Sequence, residues 1–213
     1  MTRVLFVLGA GGHGRVVADA AIEAGWSVRG FLDARPTRAE LLGLPVHPLA
    51  SEDVAEFIRA RDASVVVAVG DNRKRQELQR ALADGGVPIA TVVHPSSVVA
   101  RSARLGAGAM VLASSVVGVD ASIGAGCIIN TGVRVDHDGV IGEYAHLSPG
   151  VSLGGEVTVG EGTHLGVGVS VRNRVSIGSW SMVGVGAAVV KDLPASVKAL
   201  GVPARVVGPW GGP

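Results

Sequence analysis

The chain is 213 residues long, with 47% hydrophobic residues, 17% charged residues and a formal net charge of +1 at pH 7. This composition is typical of a compact soluble protein of one or two modest domains. The small charge and the absence of long runs of like charge give no electrostatic reason to expect nucleic acid or an anionic membrane as a partner.

Two further features bear on the compartment. The first apolar segment, VLFVLGAGG, runs directly into a glycine turn and lacks a signal-peptide cleavage pattern, and the uncharged segment 105–119 is too short and too rich in glycine to cross a membrane. The single cysteine, Cys127, excludes an intrachain disulfide framework and fits a reducing compartment. We therefore expect a cytoplasmic protein.

The first part of the chain alternates short β-branched segments with helical patterns. Strands are expected at VLFVL, VRGFL and SVVVAV, and helices at about 14–25, 51–61 and 72–85. This alternation predicts a small, Rossmann-like parallel α/β sheet. We assign it to a first domain of residues 1–95.

A glycine-rich turn, GAGGHG, joins the first strand to the first helix. Gly9, Gly11 and Gly14 match the G-x-G-x-x-G pattern, in which glycines allow a tight turn and the helix N-terminus favours a phosphate. Asp33 ends the second strand, where a carboxylate accepts hydrogen bonds from ribose hydroxyls. Because about 90 residues supply only half of a dinucleotide crevice, a mononucleotide or nucleotide sugar fits better than NAD. An NAD oxidoreductase is kept as an alternative.

Other residues meet at the same edge of the predicted sheet. His13 lies inside the glycine turn, where it can donate a hydrogen bond to a phosphate or cap the following helix. The third strand ends in VGDN, which places Gly70 and Asp71 at the carboxyl edge, where open α/β sheets bind ligands. The alternative interpretation is an α/β domain that binds nothing.

From position 99 the chain follows a repeat of six residues. All sixteen positions at this spacing from Val99 to Val189 are aliphatic, and glycine follows nine of them. Hexapeptide repeats build a parallel β-helix, in which three repeats complete a coil and the aliphatic residue points inward. Sixteen repeats give about five coils, on the order of 25 Å in length. We expect residues 96–213 to form this domain, with Cys127 as a small core residue rather than a reactive thiol.

Three ionisable residues in a row, Asp136, His137 and Asp138, follow the inward Val135. They are therefore expected at the surface of the prism, at a corner. A carboxylate beside a histidine fixes its tautomer and stabilises the imidazolium, which makes the ring a better general base near neutral pH. The alternative is a solvated polar turn.

Two more histidines, His146 and His164, are separated by 18 residues, which is one full coil, so they are expected to stack. Within one subunit the core separates His146 from His137, so a site that uses both must be built by two subunits. Some β-helix trimers hold zinc with three histidines between subunits. Because the spacing here differs from theirs, we expect no metal.

The order of the two domains and the motifs NTGVRVDHD, EYAHLSPG, LGVGVSV and GVPAR resemble the PglD/NeuD-type sugar acetyltransferases over about residues 3–208. The resemblance implies a left-handed β-helix and a homotrimer with acetyl-CoA bound between subunits. It also implies acetyl transfer to the 4-amino group of a nucleotide-linked amino-deoxy sugar, as in the UDP-amino-sugar and GDP-perosamine enzymes. The attack on the thioester would be direct, without a covalent enzyme intermediate.

The same resemblance implies roles for individual residues. The catalytic base maps to His137 and its acidic partner to Asp138, where some members have glutamate, so Asp136 stays open as the partner. Contacts to acetyl-CoA are implied at His146, Gly155 and Val167. Contacts to the nucleotide sugar are implied along the glycine turn and the strand ends, at Gly11, Gly12, His13, Gly14, Asp33, Gly70 and Asp71.

Two other functions stay open at this point. A sugar O-acetyltransferase of the sialic-acid type uses the same fold and base with a hydroxyl acceptor, and a non-catalytic β-helix scaffold would bind a nucleotide through its first domain only. The sequence does not identify the nucleotide base or the sugar.

Overall fold

The computed structural model describes residues 3–212. The first part of the chain forms an α/β domain. Its elements in chain order are β1 (Val4–Leu8), α1 (Gly12–Glu23), β2 (Ser27–Asp33), β3 (Glu40–Leu41), β4 (Leu44–Pro48), a 3₁₀ turn (Ser51–Asp53), α2 (Val54–Arg59), β5 (Ser64–Val67) and α3 (Asn72–Asp84).

The five strands form one sheet in the order β3-β4-β2-β1-β5. The pairs β1–β2, β1–β5 and β2–β4 are parallel, as the alternation of strand and helix patterns predicts. Strand β1 is apolar throughout because both faces of the sheet are covered. Leu5 and Val7 pack into one hydrophobic cluster, and Phe6 and Leu8 pack into another on the opposite face.

The sheet differs from the predicted parallel arrangement at one edge, where β3 and β4 form an antiparallel hairpin. The two turn residues, Leu42 and Gly43, have φ values of 53° and 71°. A two-residue hairpin turn needs positive φ at both positions, which usually selects Asn or Gly. Leucine at the first position removed that signal from the sequence.

From Val92 onward the chain coils into a prism with three faces of two-residue strands, and each strand pairs in parallel with the strand one coil later. The His146 face contains Val92–Val93, Met110–Val111, Ile128–Ile129, His146–Leu147, His164–Leu165, Met182–Val183 and Val197–Leu200, and ends with the antiparallel strand Arg205–Pro209. The Arg134 face contains Val98–Val99, Val116–Val117, Arg134–Val135, Ser152–Leu153, Ser170–Val171 and Ala188–Val189. The Val140 face contains Arg104–Leu105, Ser122–Ile123, Val140–Ile141, Thr158–Val159 and Ser176–Ile177.

The six-residue repeat places its aliphatic residues in the core, as predicted. Every repeat position from Val111 to Val189 is at most 5% exposed. The coils begin one repeat earlier than predicted, at Val93. Cys127 is fully buried among these ladders, and burial raises the pKa of its thiol to about 12, which fits a core residue rather than a nucleophile.

The α/β domain packs on the His146 face. Met110, Leu112 and Ile128 of the prism belong to the same hydrophobic cluster as Leu5 and Val7 of the sheet. The strand end after β5 and the start of α1 lie over the same face, since Gly70 and Asp71 line one cavity with His164, and the ring of His13 lies 6.2 Å from that of His146. Among residues 3–212, no helix combines the length and the apolar character that crossing a membrane requires.

Candidate active site

An exposed histidine and a carboxylate form a pair at the corner after the Arg134 face. The Nδ1 atom of His137 lies 2.8 Å from Oδ2 of Asp138, and the two side chains are 53% and 56% exposed. Asp138 has a φ of 57°, a left-handed backbone conformation at the turn. Asp136 instead accepts a hydrogen bond from the backbone N–H of His137, at 2.7 Å. Of the two aspartates left open by the sequence, Asp138 contacts the ring.

The pair changes the acid–base character of the imidazole. The hydrogen bond to Asp138 is the largest cause that raises the pKa of His137, and the charge of Asp136 acts in the same direction. With Nδ1 held by the carboxylate, Nε2 is the ring nitrogen that can accept a proton. The arrangement suits a general base that faces solvent or a bound substrate.

One coil later, Gly155 lies against the imidazole of His137. A Cβ atom at Gly155 would overlap with the ring, with Nε2 as its nearest atom, so only glycine leaves room for this ring position. The Gly155 N–H donates to no backbone carbonyl of residues 3–212. The structure thus brings together His137, Asp138 and Gly155, three of the residues that the sequence singles out.

A second group of predicted residues meets between the α/β domain and the His146 face. The rings of His146 and His164 are stacked, with centroids 4.6 Å apart and an interplanar angle of 3°. The ring of His13, on α1, lies 6.2 Å from that of His146. Ser148 Oγ lies 2.9 Å from Nε2 of His164, and Asn130 Nδ2 lies 3.3 Å from Nε2 of His146. We call His13, His146 and His164 the histidine column.

The histidine column is neutral at pH 7. Burial lowers the pKa of His13 to about 4 and the pKa of His146 to about 2, and burial also lowers the pKa of His164. The positive charge of Arg75 lowers all three pKa values further. His13 Nε2 and His146 Nδ1 are buried without a hydrogen-bond partner among residues 3–212. A neutral ring can donate one hydrogen bond to a ligand, but it supplies no positive charge to a phosphate.

The glycine turn has two roles along its length. Gly9 has a φ of 114°, and a Cβ at Gly14 would overlap with the carbonyl of Gly9, so both positions require glycine to form the turn. Gly11 and Gly12 face open space instead, which leaves their backbone accessible to a ligand. The start of α1 at Gly12 adds the free N–H groups that favour an anion.

Asp33 is engaged by the turn itself. Its Oδ2 accepts a hydrogen bond from the Ala10 N–H at 2.9 Å, and its Oδ1 accepts one from the Arg35 N–H, also at 2.9 Å. A carboxylate has further lone pairs, so ribose contact stays a prediction. A cleft of about 190 Å³ opens at the glycine turn, and its lining includes Gly11, Gly12, Arg15 and Arg38. These two arginines were not singled out in the sequence, because they are scattered single charges there.

The other strand end borders a separate cavity of about 170 Å³. Asp71 caps α3 by accepting a hydrogen bond from the Lys74 N–H at 2.8 Å. Gly70 and Asp71 line the cavity on one side, and His164 lines it on another. Its apolar walls come from residues that the sequence analysis did not identify, namely Trp180, Met182 and Trp210.

The predicted contacts to acetyl-CoA do not meet within one chain. His146 lies on the His146 face, Gly155 follows the Arg134 face, and Val167 is 49% exposed at the corner between those faces. His137 and His146 likewise belong to different faces. Among residues 3–212, no group of three or more His, Cys, Asp or Glu residues is arranged to hold a metal ion.

Comparisons with known proteins match both parts of this architecture. The family model described as "PglD N-terminal domain" matches residues 4–82. UDP-N-acetylbacillosamine N-acetyltransferase from Bacillus subtilis (strain 168) is 40% identical over 110 residues, which is 50% of this chain and 50% of that protein. The match therefore spans about half the length of that curated relative.

Solved structures match nearly the whole chain. A histidine-to-asparagine mutant of perosamine N-acetyltransferase from Caulobacter crescentus, in complex with CoA and GDP-perosamine, is 43% identical with a TM-score of 0.90, and 96% of each chain is covered. The acetyltransferase domain of PglB from Neisseria gonorrhoeae FA1090, in complex with acetyl coenzyme A, is 34% identical with a TM-score of 0.92, over 97% of this chain and 100% of that one. These matches confirm the predicted fold, an α/β domain followed by a left-handed β-helix.

Proposed function

The chain belongs to the PglD-type sugar N-acetyltransferases, the family that includes the perosamine and PglB enzymes, and from this premise we propose that it transfers the acetyl group of acetyl-CoA to the 4-amino group of a nucleotide-linked amino-deoxy sugar. The observation that carries the proposal is the exposed pair of His137 and Asp138, packed over Gly155. A base on an open corner of the prism fits a reaction between two bound substrates.

The reaction needs one proton acceptor. The amine nitrogen attacks the thioester carbonyl, a C–N bond forms, and the C–S bond then breaks to release CoA. Nε2 of His137 removes the proton that the nitrogen loses, while Asp138 holds Nδ1–H and stabilises the imidazolium. The same imidazolium can return the proton to the departing sulfur, so no covalent enzyme intermediate is needed.

The negative charge that develops on the carbonyl oxygen needs a hydrogen-bond donor. The Gly155 N–H lies beside the base and is not used by any backbone carbonyl of residues 3–212. We assign it to the oxyanion, since a backbone N–H that is already fixed in place loses little entropy when the charge appears.

We propose a homotrimer with the active sites between subunits. The support is geometric: His137 and Gly155 lie at the corner between the Arg134 and Val140 faces, whereas Val167 lies at a different corner and His146 on a different face. A groove between two copies would bring these groups to one acetyl-CoA molecule, whereas one copy does not. A cytoplasmic location, expected from the single cysteine, stays a prediction.

For the nucleotide we propose the carboxyl edge of the sheet. Gly11, Gly12 and the first turn of α1 offer accessible backbone N–H groups, and His13 offers a neutral ring. Arg15 and Arg38 add the positive charge that a diphosphate requires. Asp33, Gly14, Gly70 and Asp71 shape the edge around it.

Calorimetric titration tests this assignment against the alternatives. We expect the protein to bind acetyl-CoA and also at least one of UDP, GDP and dTDP, and not to bind NADH. Binding of a nucleoside diphosphate without acetyl-CoA would indicate a scaffold, and binding of NADH would indicate an oxidoreductase.

A further inference from the structure

A fully buried arginine, Arg75, lies on α3 where the two domains meet. It takes part in no ion pair among residues 3–212. Instead, its five N–H donors all find oxygen atoms: Nε donates to the carbonyl of Gly126 (2.7 Å), Nη1 to those of Val69 (2.8 Å) and Gly70 (3.4 Å), and Nη2 to the carbonyl of Tyr144 (2.7 Å) and to Oδ1 of Asn72 (2.8 Å).

On the prism side, the acceptors form a ladder. Gly126, Tyr144 and Gly162 follow one another at intervals of one coil, with φ values of 62°, 56° and 64°. Arg75 binds the first two carbonyls of this ladder. Asn72 donates from Nδ2 to the third, at 3.0 Å. Two side chains of α3 therefore hold three successive coils.

On the sheet side, Arg75 holds the carbonyls of Val69 and Gly70, directly after β5. This is the strand end that carries Asp71 and borders the cavity containing His164. One planar guanidinium thus sets the position of the proposed nucleotide edge relative to the coils of the prism.

The charge of this group is costly, which argues for a specific role. Burial lowers the pKa of Arg75 to about 10, so the side chain is still charged at pH 7. Burying a charge without a carboxylate partner costs free energy. An apolar residue at the same place in a domain contact commonly stabilises the fold at least as much as the buried charge does. A planar fork of five donors gives directional contacts that neither an apolar side chain nor the single ammonium of lysine reproduces.

We propose that Arg75 is a positioning residue for the reaction: it fixes the Gly70–Asp71 edge at a defined height on the coil ladder, in the position in which that edge binds the nucleotide of the sugar substrate. The inference rests on the proposed function. Arg75 itself touches no substrate, because its donors are all used within the protein.

The test compares Arg75→Lys and Arg75→Met with a matched control, Gln79→Met. Gln79 lies on the same helix and donates to the prism carbonyl of Ala107 at 2.9 Å, but among residues 3–212 it makes no hydrogen bond to the strand end after β5. For each variant we would measure the calorimetric Kd of the best-bound nucleoside diphosphate, the Kd of acetyl-CoA, kcat, both KM values and Tm.

We expect Arg75→Lys to weaken nucleoside diphosphate binding and to raise the KM of the nucleotide sugar about tenfold, with the Kd of acetyl-CoA within about twofold and kcat within about threefold. Arg75→Met, if it folds, should change these constants in the same way. Gln79→Met should leave the Kd of the nucleoside diphosphate and the KM of the nucleotide sugar unchanged. Asn72→Ala removes one acceptor of Arg75 and the hydrogen bond to the carbonyl of Gly162. We expect it to raise the KM of the nucleotide sugar about threefold.

Three results would overturn the inference: nucleotide constants at the wild-type value in Arg75→Lys, equal changes in Arg75→Lys and Gln79→Met, or losses that follow Tm alone. Failure of the proposed function is distinguishable. A wild-type protein that binds the nucleoside diphosphate but acetylates no amino sugar contradicts the proposed function, while the Kd series still decides the role of Arg75.

Discussion

At the scale of single residues, the chemistry depends on one hydrogen bond. Asp138 raises the pKa of His137, which makes the neutral ring a stronger base but leaves less of it neutral when the pH falls. Because the ring is 53% exposed, bulk solvent weakens the influence of the carboxylate, and a bound substrate would strengthen it by excluding water.

Asp138→Asn should lower the pKa of His137, because the amide carries no negative charge. Activity of a base is lost as the pH falls through its pKa, so we expect the acidic limb of the kcat/KM profile to move to lower pH, and activity at neutral pH to fall because a weaker base remains. Asp136→Asn is the control, since Asp136 binds the backbone rather than the ring. A larger shift in Asp136→Asn than in Asp138→Asn would contradict the assignment.

The sequence identifies those residues whose partners are close in the chain. His137 and Asp138 are adjacent, and the repeat places Gly155 one coil away, so their contact could be predicted. The role of Arg75 could not, because its acceptors on the prism are carbonyls 51 and 69 positions later, and carbonyls carry no sequence signal. Arg15 and Arg38 meet only through the folding of the β2–β3 loop back onto the glycine turn.

At the scale of elements, the prism is stable because each inward residue packs on the residue one coil above and below. Val135 lies between Val117 and Leu153 in such a ladder, and all three are at most 4% exposed. This period is regular enough to be found from the sequence alone. The β3–β4 hairpin depends on a leucine at positive φ, which is unfavourable locally and is imposed by the surrounding sheet.

Val135→Asp places a charge inside that ladder, where no partner exists within the core cluster. We expect a loss of several kcal/mol of unfolding free energy, or no folded protein at all. Arg134→Ala is the matched control, because Arg134 is the exposed residue next to it and its side chain donates a hydrogen bond to Ser152 Oγ, at 2.9 Å. Urea denaturation followed by circular dichroism measures both. Equal stability of the two variants would contradict the inward register.

At the scale of the whole molecule, two arrangements matter: how the α/β domain sits on the prism, and how copies of the prism meet. The first is fixed by the shared hydrophobic cluster, the histidine column and Arg75. For the second we propose the trimer, and its support is the separation of His137 and His146 on different faces. The sequence predicts the domain order and the separation of the histidines, but the domain contact depends on long-range pairs that a local pattern does not contain.

The histidine column should make folding sensitive to acid. A histidine whose pKa is lowered in the folded state binds protons more readily when unfolded, so its contribution to stability is present above pH 6.5 and is lost as the pH falls toward the folded value. For His13, with a folded pKa of about 4, the loss between pH 6.5 and pH 4 is roughly 3 kcal/mol. Urea denaturation at a series of pH values should show this decline, and His13→Asn should flatten it. An equally steep decline in His13→Asn would contradict the buried, neutral state.

The proposed trimer with active sites between subunits predicts complementation between inactive subunits. A trimer that contains both His137→Ala and His146→Ala subunits has both histidines intact at one of its three interfaces. Such mixed trimers, isolated with two affinity tags, should therefore regain about one third of the wild-type activity. Each homogeneous variant should be inactive or nearly so. Mixed trimers no more active than the homogeneous ones would place the site within a single chain.

The most direct test of the proposed function is a thiol-release assay with acetyl-CoA against UDP-, GDP- and dTDP-linked 4-amino-6-deoxy sugars, with free sialic acid as the competing acceptor. We expect turnover on at least one nucleotide-linked amino sugar, and a loss of at least ~10²-fold in kcat for His137→Ala, which should fold normally because the residue is exposed. Turnover on sialic acid alone would show that the protein acetylates a hydroxyl group and not an amino group. Activity of His137→Ala within about threefold of wild type would contradict the assigned base.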